Sequence, residues 1–169
     1  MTPAELLTDA CERVLETAAG AVDGLTVEQL CQRPEPDANP IGWLIWHLAR
    51  VQDDHIADVA GTEQVWTAQG FVDRFALPFD VTATGFGQST EQVGQFRADA
   101  GLLAEYLRAV HEQTTSYVAT LGPDDLDRVV DTRWDPPVTL GVRLVSVISD
   151  DLQHAGQAAF VRGVLRRRR

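Results

Sequence analysis

Apolar residues recur at helical spacing through four long stretches of this chain, and no stretch alternates convincingly at strand spacing. Leu6, Leu7, Ala10, Cys11, Val14, Leu15 and Ala18 mark a first helix over 3–20. Thr26 with Gln29 forms a capping box, which opens a short helix to about Gln32. The run Arg-Pro-Glu-Pro-Asp-Ala then reads as loop. Asn39-Pro40 predicts the next helix start, with Asn as N-cap and Pro at the first helical position. This second long helix runs to about Ala60 and stops at Gly61; its buried face includes Trp43, Leu44, His47, Leu48 and Val51. A short helix fits 62–69, and 70–88 reads as an irregular loop with Leu-Pro-Phe-Asp and Thr-Gly-Phe-Gly turn signals. A loop of that length in a compact domain serves either as a site lid or as a surface crossover. Ser89 with Gln92 is a second capping box, predicted to open the third long helix, which runs to about Leu121. Gly122-Pro123 ends it and starts a turn at 124–128. Residues 131–138, with Trp134 and Pro136-Pro137, are extended and non-helical. A last helix starts near Thr139 and reaches about Leu165. Four long helices with a long second connection predict an all-α four-helix bundle, and 169 residues make one domain, 1–169.

Composition narrows the partners. Apolar residues at 44% and charged residues at 23% are an ordinary globular balance. A net charge of −11 opposes nucleic-acid binding, because phosphate contacts need clustered cations. The one basic cluster, Arg166 to Arg169, reads as a solvated terminus. All 14 basic residues are Arg, a bias that fits GC-rich coding and an actinobacterial source. Cys11 and Cys31 make no disulfide framework and read as small buried hydrophobes. No signal peptide opens the chain, and no run of 18 apolar residues offers a membrane span. The expected location is cytoplasmic.

Candidate chemistry gathers on three residues. Asp150 and His154 are four apart in a helical segment and so share a face, one turn apart. There a carboxylate and an imidazole can grip one metal ion, with His47 of the second long helix as third ligand. Three protein ligands and an open position are the pattern of a catalytic metal. The plainer alternative is a helix N-terminal Asp and a hydrogen-bonded core His. Asp151, three before His154, rivals Asp150; the stripe Val147, Asp150, His154, Ala158, Val161 favours Asp150. His55 follows His47 by eight residues, about 12 Å of helix rise, so the two cannot share an ion. It reads as a pocket-rim or capping group. His111 reads as a surface residue. No nucleophile stands beside the set, since Cys11 and Cys31 lie in other helical patterns and Ser149 has no obvious base. The nucleophile then comes from outside, as a metal-bound thiol or water.

The stretch Asn39-Pro40-Ile41-Gly42-Trp43-Leu44-Ile45-Trp46-His47-Leu48, taken with Asp150-Asp151-Leu152-Gln153-His154-Ala155-Gly156-Gln157 and the closing Arg162-Gly163, resembles the DinB-like superfamily. That group includes thiol-dependent S-transferases and mycothiol-dependent maleylpyruvate isomerases. The resemblance covers nearly the whole chain and implies an up-down-down-up four-helix bundle. It implies a divalent ion on one side chain of the second long helix and two, four apart, of the last: His47, Asp150 and His154. Arg-Trp-Asp-Pro-Pro and Arg-Leu-Val-Ser-Val are shared with a branch whose members have no settled activity.

Two functional classes follow. The first is a metal-dependent enzyme joining a low-molecular-weight thiol, mycothiol in an actinobacterium, to an electrophile as an S-transferase or isomerase. Zn²⁺ is the first choice for two imidazoles and a carboxylate; Ni²⁺, Mn²⁺ and Fe²⁺ can occupy the same ligands. Trp43, Trp46 and the 70–88 loop would shape the pocket, with His55 and Gln157 as further substrate-facing candidates. Arg50 is either an anion contact or a solvated helix residue. The second class is a non-catalytic, stress-associated bundle that binds a metal or ligand. Self-association into a homodimer is compatible with either. A nuclease-like role is opposed by the charge.

Overall fold

The computed structural model describes residues 1–167; Arg168 and Arg169 of the basic terminus lie outside the described residues. The chain is mainly helical. Helix α1 spans Pro3–Val22, α2 Val27–Cys31, α3 Ile41–Ala60, α4 Val65–Ala68, α5 Phe71–Phe75, α6 Thr90–Gly94 and α7 Ala100–Val118. A 3-10 turn at Pro123–Asp127 leads to strands β1 (Val129–Asp131) and β2 (Val138–Thr139), and α8 closes the described chain at Leu140–Arg167. Helices α1 and α3 each pack against both α7 and α8. Their common core is built from residues such as Val14, Ala18, Leu44, Leu48, Leu103, Leu107, Ala155 and Ala158.

Local chemistry sets most boundaries where the sequence places them. The Thr26–Gln29 box caps α2 with both reciprocal bonds, and Gly61 ends α3 in the left-handed conformation. Four expectations need correction. Asn39 does not cap α3; Pro40 stands at the N-cap, so the helix starts one residue later. The Ser89–Gln92 box forms, but it opens the five-residue α6. The third long helix starts only at Ala100, where the Asp99 carboxylate accepts from Leu102 N. The 70–88 segment is not wholly irregular, because Phe71 and Phe75 bury their rings and fold a turn of helix between them. The chain also has strand structure: β1 and β2 pair antiparallel, Val129 with Thr139 and Asp131 with Val138. Three and two residues are too few for period-2 alternation to show in sequence.

A buried polar network ties the middle of the fold together. Asp53 and Arg50, one turn apart on α3, are both buried and form an ion pair at 3.5 Å. The Asp53 carboxylate also accepts from Val65 N, Trp66 N and the Tyr106 hydroxyl, each at 2.8 Å. It therefore caps α4 and holds α7 to α3 together. Burial raises the Asp53 pKa, and these donors and Arg50 work against that rise. Arg50 lies 5.0 Å from the centre of the Trp66 ring, beside a cluster of Phe71, Phe75 and Tyr106. Removing one partner from a buried ion pair costs about 3–5 kcal/mol. Asp53→Ala should accordingly lower unfolding free energy in urea by at least about 3 kcal/mol; a loss below about 1 kcal/mol would show that the network does not hold the fold.

Candidate metal centre

Trp43, His47 and Arg50 fall at i, i+4 and i+7 on one face of α3, and all three donate to the segment that follows α5. Trp43 Nε1 donates to Gln88 Oε1 at 2.7 Å, and Arg50 Nε to the Ala83 carbonyl at 3.2 Å. His47 Nδ1 lies 2.6 Å from the Thr84 carbonyl oxygen. A carbonyl only accepts, so Nδ1 carries the proton and Nε2 keeps its lone pair. From α4, Trp66 Nε1 adds a bond to the Val81 carbonyl at 3.1 Å. The segment is thus laid along α3 by a row of side-chain donors. Gly85 makes the close approach possible: its φ is +95°, and a Cβ there would stand 2.8 Å from His47 Nδ1 and 3.0 Å from ring atoms of Trp43 and Trp46.

Asp150 and His154 on α8 face this imidazole. One ligating atom from each of His47, Asp150 and His154 can be chosen so that all lie within 4.8 Å of one another. That is somewhat wider than the roughly 3.4 Å between ligands of a tetrahedral ion with bonds near 2.1 Å. His154 Nδ1 lies 2.9 Å from Gln157 Oε1, an acceptor, so its Nδ1 also carries a proton and Nε2 faces Asp150 Oδ1 at 3.6 Å. The other carboxylate oxygen, Asp150 Oδ2, is buried with no hydrogen-bond partner. Contact with Asp150 raises the His154 pKa, burial opposes it, and Gln157 supports it. Burial lowers the His47 pKa, and the Thr84 carbonyl only partly offsets that. The donor set suits a borderline divalent cation: two nitrogen lone pairs, each fixed by a second hydrogen bond, and a carboxylate oxygen with nothing to bind.

Beside the cluster lies an open cleft of about 500 Å³, lined by His47, Asp150, His55, Thr84, Arg143 and Asp131 among others. Phe86 and Trp134, both exposed, stand at it from two different loops.

The remaining candidates fall into three groups. Trp43 stacks on His47, ring centres 4.7 Å apart and planes within 16°, so it supports the imidazole from behind. Trp46 is buried against Phe79, Phe96 and Trp66 and belongs to the core. Arg50 is neither solvated nor a lining residue of the cleft; its Nε and Nη1 are engaged by Ala83, Gln64, Tyr106 and Asp53, and its Nη2 is buried without a partner. Gln157 orients His154, and His55 lines the cleft. His111 is half-buried, its Nδ1 buried without a partner, where a surface position was expected. Asp151 is buried without a hydrogen bond to Oδ1, on the core side of α8. The Cys11 thiol is pushed up to about 12, mainly by burial and further by Asp151 and Glu12, which makes it inert. Sequence reasoning missed Thr84, Gly85, Asp131 and Arg143. The Thr-Gly-Phe-Gly turn holds the first two, Asp131 lies two residues before the Arg-Trp-Asp-Pro-Pro run, and Arg143 opens Arg-Leu-Val-Ser-Val.

The model of the mycothiol S-transferase family matches residues 6–167. The crystal structure of a conserved protein from Enterococcus faecalis superposes with a TM-score of 0.89 at 31% identity, covering 96% of each chain. Comparison with curated proteins finds no match. The extent of the family match, over a helical fold that brings His47, Asp150 and His154 together, places this chain in the DinB-like mycothiol S-transferase family.

Proposed function

We propose that this protein is a single-domain, cytoplasmic, metal-dependent enzyme that transfers a low-molecular-weight thiol, of the mycothiol type, to a small electrophile. We read its four long helices as an up-down-down-up bundle, a reading supported by the packing of α1 and α3 against both α7 and α8. One observation carries the proposal. Thr84 and Gln157 turn His47 and His154 so that both can offer an Nε2 lone pair beside the orphaned oxygen of Asp150. A buried acceptor without a donor costs about 1–3 kcal/mol, and a cation is the partner that relieves it.

His47, Asp150 and His154 would hold the ion, most readily Zn²⁺, with Ni²⁺, Mn²⁺ and Fe²⁺ also suited to the set. When bound, a divalent ion supplies a Lewis acid that lowers the pKa of a thiol and keeps it as thiolate near neutrality. The chain does the rest. Thr84 and Gln157 keep both rings in the ligating tautomer, and Trp43 holds the His47 ring plane. The cleft admits thiol and electrophile to the open side of the cluster, between Phe86 and Trp134. The exposed groove between α1 and α8, lined by Leu6, Leu7, Ala10, Val145, Ile148 and Leu152, is the surface we assign to self-association. A non-catalytic metal-binding bundle is the second reading. The approach of His154 to Asp150 favours it, because the pair can satisfy itself without a substrate.

Protein purified without a metal-affinity step should hold up to about one equivalent of divalent metal. His154→Ala and Asp150→Ala should abolish it, whereas Asp151→Leu should keep it and leave stability equal or higher, because it removes a buried unpaired acid. Elemental analysis and thermal melts decide this; metal retained in both His154→Ala and His47→Ala refutes the ligand set.

Gly85→Ala should push Thr84 away from His47 and weaken metal affinity by about 10–100-fold, the usual effect of losing a group that orients a ligand. Competition against a chromophoric chelator measures it, and unchanged affinity would mean that the 2.8 Å approach carries no function.

The cobalt-substituted protein mixed with mycothiol should develop a sulfur-to-cobalt charge-transfer band, and thiol transfer should stop on chelation and survive Cys11→Ser. No band with any thiol tested would favour the non-catalytic bundle.

A further inference from the structure

A second polar chain runs along the cleft, separate from the bonds that orient His47. Asp131, at the end of β1, accepts from the backbone N, Nε and Nη2 of Arg133 and from Arg143 Nη2 at 3.1 Å. The Arg133 bonds hold its carboxyl well below the usual carboxylate range, with Arg143 adding to the effect. Arg143, in the first turn of α8, has a side chain only 15% exposed. Its Nη1 lies 3.2 Å from His55 Nδ1.

A guanidinium has donors only and keeps its charge throughout the working pH range. His55 Nδ1 must therefore be the acceptor. A neutral imidazole has one acceptor and one donor, so the proton sits on Nε2. Binding a second proton would place a cation against Arg143 and break this bond. Among the described residues His55 Nε2 has no hydrogen-bond partner, and it is not one of the buried unpartnered atoms. Its N–H is thus unengaged, on a ring that lines the cleft shared with His47 and Asp150. The other charged groups on this side are Asp54, whose Oδ1 is engaged by Gln64, and Asp58.

We propose that Asp131 and Arg143 lock His55 as a fixed Nε2–H donor to an oxygen of the electrophile, and that the electrophile class is a carbonyl compound whose attacked carbon is conjugated to that carbonyl. The inference rests on the thiol-transfer reading. The thiolate sulfur forms a bond to the β-carbon, the carbon–carbon π pair shifts toward the carbonyl, and the carbonyl π pair moves onto oxygen. The enolate oxygen accepts from His55 Nε2–H, which keeps its proton, as a preorganised donor aimed at developing charge. The proton that the thiol lost to solvent returns from solvent to the α-carbon, so the sum is addition of R–S–H across the double bond. Displacement at an alkyl halide places no charge on such an oxygen and has no use for the donor. Asp131 and Arg143 are positioning residues; His55 is the group that touches substrate.

Long-range proton–nitrogen NMR of the full-length protein at pH 7 reads the tautomer directly. His55 should be neutral with the proton on Nε2. Arg143→Met should mix the tautomers, Asp131→Asn should do so partly, and Arg143→Lys, which keeps a donor, should restore the wild-type form. A proton on Nδ1, an imidazolium, or a wild-type tautomer in Arg143→Met overturns the lock. In turnover, His55→Phe should lower kcat for mycothiol addition to 2-cyclohexenone by about 10²-fold, the usual effect of removing one such donor. Alkylation by 1-iodobutane should fall at least about tenfold less than the addition does. Equal losses on both electrophiles overturn the assigned role. If wild-type protein turns over neither electrophile, the thiol-transfer reading fails on its own. The donor is then judged by the His55 Nε2–H resonance on adding 2-cyclohexenone, where no shift at saturating concentration overturns it.

Discussion

The site depends on the docking of residues 81–88 against α3. A loop laid on a helix brings backbone carbonyls that must find donors once water is excluded. Here the donors are side chains: Trp66 for Val81, Arg50 for Ala83 and His47 for Thr84. The bond that satisfies Thr84 also decides which nitrogen of His47 is left to act. A requirement of packing and a requirement of chemistry are met by one proton. The glycine at 85 is the steric condition for both, since any larger residue meets His47 and two tryptophan rings.

Two histidines on one helix end up with opposite roles for the same reason. His47 and His55 are eight residues apart on α3, about 12 Å of rise. The Thr84 carbonyl makes His47 Nδ1 a donor and frees an Nε2 lone pair; the Arg143 guanidinium makes His55 Nδ1 an acceptor and frees an Nε2–H. Burial lowers the pKa of each, and Arg143 lowers that of His55 further. One ring is suited to bind a cation and the other to donate to an acceptor. The difference lies wholly in what each Nδ1 faces.

The rigidity behind this comes from charges placed where they cannot relax. Arg50 reads in sequence as an anion contact or a solvated helix residue, yet it and Asp53 are buried and shared among α3, α4, α7 and the 81–88 segment. Asp131 performs a related task at the other side of the cleft, joining the hairpin to α8 and, through Arg143, to α3. Each network ties a loop to the helices beside it, the 81–88 segment through Arg50 and the hairpin through Asp131, which is where a site assembled from loops needs support.

The helices were legible because their causes are local: apolar spacing, the Thr26–Gln29 box and Gly61 act within a few residues of themselves. The pairing of Asp150 with His154 was legible for the same reason, as four residues is one helical turn. His47 could be named as a partner from its apolar surroundings and the family resemblance, since helix spacing says nothing about which helices meet. The stripe used to choose Asp150 over Asp151 proved a poor guide to burial, because Asp151 is the more buried of the two and Asp150 stands at the edge of the core. The short strands, the cap at Asp99 and the burial of Arg50 were not legible. Each depends on a neighbour distant in sequence or on too few residues to make a pattern. Above all, the protonation of the two α3 imidazoles is a tertiary matter. Residue type provides two equivalent nitrogens, and only the carbonyl or guanidinium that the fold sets against one of them decides what the other can do.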